Sequence, residues 1–182
     1  MALAFTLTDC KRKSVEKSFS TNAATAQVLK LIADDFDKPV GLASPYLEEI
    51  GQKLLAREVQ VFWTVEDTNK TTFNELQAKY GGKLQVLDLE NGKLNAKMQL
   101  GMLISGSSLL SKNQESKYDQ QLVQSIKKLL VPGSYWIIVM EGKKETTVKQ
   151  LPYLQDLTLP YFKNFTVDST GLPKSILLKL QS

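Results

Sequence analysis

The chain has 182 residues, 42% of them hydrophobic and 23% charged, with a formal net charge of +4. That length is enough to bury a substantial core in one domain over residues 1–182. There is no histidine and only one cysteine, Cys10. This removes Ser-His-Asp and Cys-His catalysis, histidine metal sites, multi-cysteine zinc sites and any intrachain disulfide.

No apolar run approaches the roughly 18 residues of a transmembrane helix. The N-terminal run MALAFTLTDCKRK places its apolar residues before its charges, the reverse of a signal peptide. With the lone Cys10 this gives an expectation of an intracellular protein, cytoplasmic or nuclear. The mild basicity permits anionic partners, nucleic acid among them.

In chain order, Ala2 to Thr8 reads as a strand. The cluster Lys11-Arg12-Lys13 with Lys17 reads as a solvated loop or a phosphate contact. A helix capped by Ser20, Thr21 or Asn22 runs to about Phe36, with Asp34, Asp35 and Asp37 near its end. Pro39 to Ala43 is a short buried strand. Ser44 is expected to cap the next helix, with Pro45 at its first position and Ile50, Leu54 and Leu55 on its buried side. Val59 to Val65 is a strong strand. Glu66-Asp67-Thr68-Asn69 forms a polar loop at its carboxyl end, where ligands of open α/β sheets sit.

A helix from Thr71 or Thr72 to Lys79 ends at Gly81-Gly82. Leu84 to Leu89 is a strand, and Asn91-Gly92 has hairpin-turn chemistry. From Lys93 to Leu110 the sequence reads strand, turn at Gly101, apolar strand and small-residue loop. Ser105, Gly106, Ser107 and Ser108 could bind an anion through backbone N–H groups, with Lys97 adding charge, or could serve as a turn or cap. Tyr118 to Val131 is an amphipathic helix broken by Pro132-Gly133. Tyr135 to Met140 is the most apolar strand, expected in the centre of the sheet. Val148 to Leu159 reads as a short helix interrupted by Pro152. Tyr153, Tyr161, Phe162 and Phe165, between Lys149 and Lys163, could stack bases or pack on the core or a partner. Ile176 to Leu180 is a final strand.

The alternation of strands and helices from Ala23 to Met140 predicts an α/β fold, and the expected hairpins make its sheet mixed, flanked by helices. The stretch around Lys97 resembles the phospholipase D superfamily motif, H-x-K-x4-D followed by G-[ST]-x-N. Lys97 and Gly106-Ser107 match. Asn95 stands at the histidine position, Met102 at the aspartate and Leu109 at the asparagine. Ala43 to Leu47 resembles the superfamily's strand-end segment, and the similarity spans about residues 25–140, with 141–182 as an extension. A Rossmann-like fold also fits the alternation, although no G-x-G-x-x-G or phosphate-loop motif is present.

The resemblance implies a phospholipase D-like half with one half-site. It implies a non-catalytic nucleic-acid- or phosphate-binding or scaffold subunit, a homodimer or part of a complex. Asn95, Lys97, Ser105, Gly106, Ser107 and Ser108 would hold the anion, with Ser44, Tyr46, Glu66 and Asp67 on the site rim. Asn95 cannot attack phosphorus as imidazole does, so no catalytic residue, cofactor or metal is expected. Two alternatives stay open: a metal enzyme using carboxylates such as Asp34, Asp35, Glu66, Asp67 and Asp88, and a purely structural subunit.

Overall fold

The computed structural model describes residues 28, 30–32, 36–89, 99–110, 116–140, 144–167 and 175–181. Val28, Lys30 and Leu31 lie in helical backbone. Then come β1 (Val40–Ala43), α1 (Glu48–Ala56), β2 (Val61–Trp63), α2 (Lys70–Tyr80), β3 (Leu84–Val86) and β4 (Leu100–Gly106). The chain continues with α3 (Ser116–Leu129), β5 (Leu130–Val139), α4 (Lys144–Thr158), β6 (Phe162–Val167) and β7 (Ser175–Leu180).

The strands form one sheet in the order β3-β2-β1-β4-β5-β7-β6. β1 to β5 are parallel, while β7 is antiparallel to β5 and to β6. Residues buried on both faces explain why the parallel strands read as apolar runs rather than alternating ones. β4 is buried at all seven positions, flanked by β1 and β5.

Side chains of the central strands alternate between two cores. Val40, Leu42, Val61, Trp63, Met102, Ile104, Ile137 and Val139 pack with Ile50, Leu54, Phe73 and Leu76 of α1 and α2. Phe62, Leu103, Trp136 and Ile138 pack on the other face with Leu122, Val123 and Ile126 of α3 and Leu154 and Leu157 of α4. Burying a side chain of this size contributes about 1.5–3 kcal/mol, so both helix layers are fixed to the sheet.

The mixed α/β sheet flanked by helices is as expected from the sequence, but its mixing has another origin. β4 pairs in parallel with both β1 and β5, so Gly101 is not a hairpin turn. Gly101 lies inside β4, and a Cβ there would stand 2.5 Å from Lys38 Cβ and 2.9 Å from Phe36 Cζ. Its small size lets the 36–38 segment cross the strand, and its N–H donates to Pro39 O at 2.9 Å. The antiparallel pairs come from β6 and β7, in the region expected to be an extension. The Asn91-Gly92 turn lies outside the described residues.

Pro132-Gly133 does not separate helix from strand. Leu130 already pairs with Leu100, and the next pair is Met102 with Tyr135. Residues 131–134 bulge between those pairs, with Gly133 at φ +80°. α4 runs through Pro152 without a break. Its missing N–H removes one helical hydrogen bond, and the buried Leu154 and Leu157 hold the helix down beyond it.

Candidate functional site

From β1 the chain goes outward to β2 and β3, then returns to place β4 on the other side of β1. The strand order therefore reverses between β1 and β4, and the carboxyl edge beside that point is where ligands of open α/β sheets bind. Ala43 and Ser105 stand level across it. Ser44 and Tyr46 follow β1, Glu66 and Asp67 follow β2, Asp88 follows β3, and Ser107 and Ser108 follow β4. Asn95 and Lys97 lie outside the described residues.

The turn after β1 is bound to itself and to β2. Ser44 does not cap α1, whose N-cap position is Leu47. Its hydroxyl instead accepts the Tyr46 N–H at 3.3 Å, and its carbonyl accepts the Trp63 indole N–H at 2.7 Å. Trp63 is fully buried and packs against Phe73 of α2 at 6.3 Å. Tyr46 points outward, 53% exposed.

The loop after β2 is clamped by Asn69. Its side-chain carbonyl accepts the Glu66 N–H at 2.6 Å, and its amide donates to Thr64 O at 3.0 Å. Asn69 is buried while Glu66 and Asp67 are exposed, so the clamp holds two carboxylates out at the sheet edge. Among the described residues, the buried Thr64 hydroxyl has no hydrogen-bond partner. A buried polar group of this kind costs about 1–3 kcal/mol. Sequence reading found the acids and missed the clamp. Its signal was the Asx-turn chemistry of an asparagine just before a helix.

At the end of β4 two of the three serines are buried. Ser105 is buried, and its hydroxyl accepts the Trp136 indole N–H at 2.9 Å. Ser107 is buried in a 3-10 turn over Ser107–Leu110, and Ser108 is exposed. In the first turn of α3, buried Asp119 accepts the Tyr153 hydroxyl of α4. Burial raises the Asp119 carboxyl above its ordinary value, and the Tyr153 hydrogen bond partly offsets this. Burial, then the carboxylate it donates to, pushes the Tyr153 phenol up to about 12.

Tyr153, Tyr161 and Phe162 of the aromatic stretch have partners within the fold, while the side chains of Lys149 and Phe165 lie outside the described residues. Phe162 is buried against Trp136, ring centroids 5.5 Å apart. The Tyr161 hydroxyl accepts from Gln124 at 3.3 Å, and Lys127 lies 5.1 Å from its ring. Among the described residues, no three acidic or cysteine side chains form a group that could hold a metal ion. No described helix is long and apolar enough to cross a membrane.

No family model and no curated protein matches the chain. Solved structures do. The N-methyltransferase NodS from Bradyrhizobium japonicum WM9, in complex with S-adenosyl-L-homocysteine, has a TM-score of 0.63 at 8% identity. That match covers 88% of this chain and 86% of that one. The 1,6-didemethyltoxoflavin-N1-methyltransferase from Burkholderia thailandensis, with S-adenosylhomocysteine bound, has a TM-score of 0.63 at 13% identity, covering 100% and 94%. The glycopeptide N-methyltransferase MtfA complexed with S-adenosyl-L-methionine has a TM-score of 0.61 at 10% identity, covering 88% and 93%.

The chain therefore has the Rossmann-like fold of these methyltransferases. This overturns the phospholipase D-like reading and the non-catalytic phosphate-binding or scaffold role that came with it. The physical reason is plain in β4. Its apolar run is a central parallel strand in which Ser105 is buried, with Ser107 buried just after it, so the short motif match around Gly106-Ser107 came from buried-strand composition. Neither alternative gains support: among the described residues the carboxylates after β2 and β3 form no group of three that could hold a metal ion, and nothing in the fold points to a purely structural subunit.

Proposed function

We propose that this chain binds an S-adenosyl cofactor at the carboxyl edge of its sheet and serves methyl transfer to a small-molecule acceptor. The observation that carries the reading is the placement of acids at the ends of adjacent parallel strands, Glu66 and Asp67 after β2 and Asp88 after β3, beside the strand-order reversal. Glu66 lies 22 positions beyond Ser44, counting 66 minus 44 in the numbering. An acid about 20 residues past the first β–α turn is where a ribose hydroxyl is met in related nucleotide-binding folds. The neighbours crystallised with S-adenosylhomocysteine or S-adenosylmethionine support it.

The donor set fits the adenosine half of such a cofactor. The Glu66 and Asp67 carboxylates would accept from ribose hydroxyls, and Asp88 stands at the next strand end. The methionyl half meets a different turn from a glycine-rich one. Pro45 has no N–H, and the Tyr46 N–H already bonds Ser44. The cofactor, when bound, supplies an electrophilic methyl on a sulfonium. The surrounding carboxylates favour that positive charge, and exposed Tyr46 offers an aromatic face at the rim. With no histidine in the chain, any proton lost by the acceptor goes to a carboxylate, a phenol or water. An intracellular setting belongs to the same proposal.

Isothermal titration with S-adenosylhomocysteine tests it. Saturable binding is expected, weakened about 10–150-fold in Glu66→Ala/Asp67→Ala, the equivalent of one charge-assisted hydrogen bond. Folded protein that takes up no heat at millimolar ligand would refute it.

A further inference from the structure

The turn after β1 is poorly made for an anion. In nucleotide-binding α/β folds, glycines let the backbone N–H groups of this turn and of the helix behind it approach a negative group. Here Ala43 to Leu47 contains no glycine, and Pro45 offers no N–H. The Tyr46 N–H is donated to the Ser44 hydroxyl at 3.3 Å. The Trp63 indole holds the Ser44 carbonyl at 2.7 Å, so the turn is fastened to β2 in this form.

The start of α1 is acidic. A helix N-terminus carries roughly half a positive charge and attracts anions. α1 instead opens on Glu48 and Glu49. Glu48 accepts from the neutral amide of Gln52 at 2.9 Å, which leaves its charge in place. Glu49 pairs with Lys53 at 2.8 Å, but both side chains are exposed, and solvent makes such a pair weak. Along the same edge, Glu66 and Asp67 follow β2 and Asp88 follows β3. Among the described residues, the loops after β1 to β4 and the first helical turns behind them hold two cations, Lys70 and Lys117. The whole chain carries +4, so this acidity is local.

Neighbouring strand ends lie about 4.8 Å apart. A ribose held at the end of β2 therefore leaves the tail of an S-adenosyl ligand within reach of the β1 turn and the start of α1. A carboxylate on that tail would meet Glu48 and Glu49, with no N–H from Pro45 and a committed one on Tyr46. An ammonium group there would be attracted by the same two acids.

Resting on the reading of this edge as an S-adenosyl site, we infer that it selects its ligand by the charge of the tail. It takes an adenosyl thioether or sulfonium whose tail ends in an amine in preference to one that also bears a carboxylate. Glu48 and Glu49 determine that specificity.

Isothermal titration of the full chain tests this with three ligands. They are S-adenosylhomocysteine, S-adenosyl-3-thiopropylamine (the same molecule without its carboxylate) and 5′-methylthioadenosine, which lacks both charged groups. The amine should bind about three- to tenfold more tightly than S-adenosylhomocysteine, the size expected of one or two exposed charge contacts. Salt raised from about 0.05 M to about 0.5 M should shrink the ratio. Glu48→Gln/Glu49→Gln should bring it below about twofold, and Glu48→Gln alone should move it the same way. Thermal melts establish that each variant is folded. Equal affinities, tighter S-adenosylhomocysteine, or a ratio unmoved by both variants would overturn the charge selection and leave the adenosyl site standing. No heat from any of the three ligands, 5′-methylthioadenosine included, would refute the adenosyl site and this inference with it.

Discussion

The indole N–H of Trp63, the last residue of β2, donates to the carbonyl of Ser44, the first residue after β1, at 2.7 Å. Nineteen positions apart in sequence, the two tie neighbouring strand ends into one rim. The bond fixes the turn after β1, beside the strand-order reversal. Trp63→Phe keeps the ring against Phe73 and removes the donor to that buried carbonyl. It should destabilise the protein by about 1–3 kcal/mol, read as a lower urea midpoint with an unchanged slope.

Asn69 does the same for the loop after β2, with two hydrogen bonds from one buried side chain. Asn69→Ala should cost about 1–3 kcal/mol. It should also speed amide exchange at Glu66, whose N–H loses its acceptor. Asn69→Asp keeps that acceptor and should restore the Glu66 protection, while losing the bond to Thr64.

Gly101 and Gly133 separate two reasons for a glycine. A Cβ on Gly101 meets Lys38 and Phe36 at ordinary backbone dihedrals, whereas Gly133 has open space and a positive φ. Gly101→Ala should cost about 1–3 kcal/mol through overpacking. Gly133→Ala should cost about 1–2 kcal/mol through backbone strain. Because the first cost is steric, Phe36→Ala should recover part of it for Gly101→Ala and none for Gly133→Ala, as chemical denaturation of the double variants would show.

The Asp119–Tyr153 pair gives the fold a defined pH response. Tyr153 holds its proton more tightly folded than unfolded, so its contribution is fully present below pH 10 and is lost as pH rises towards about 12. Asp119 is also raised when folded. Its contribution is present below the ordinary value of 3.8 and is lost as pH climbs through the raised native value. Tyr153→Phe should remove the alkaline loss between pH 10 and 12 and lower stability at neutral pH, because buried Asp119 loses a donor. Urea unfolding across pH measures both.

Much of the sheet was legible because buried parallel strands leave short apolar runs. Val40 to Ala43, Val61 to Trp63 and Tyr135 to Val139 are such runs, and the helix faces of Ile50, Leu54, Leu122 and Ile126 show the helical period. Strand direction was not legible. Gly101 and Pro132-Gly133 look like turns in sequence, yet one is a close crossing inside a strand and the other a bulge. The aromatic stretch hid β6 because Tyr153 and Tyr161 meet partners on α3 far away in sequence. The position of Glu66 and Asp67 in an exposed loop after β2 was readable from the strong strand before them. Nothing local shows that Trp136 would donate to the Ser105 hydroxyl inside β4.

The most direct test of the central claim is hydrogen–deuterium exchange with and without saturating S-adenosylhomocysteine. The account predicts added protection at residues 64–69 and 87–89, at the ends of β2 and β3, with residues 36–38 and 132–135 unchanged. Protection confined to the amino edge, or none anywhere at saturating ligand, would contradict it.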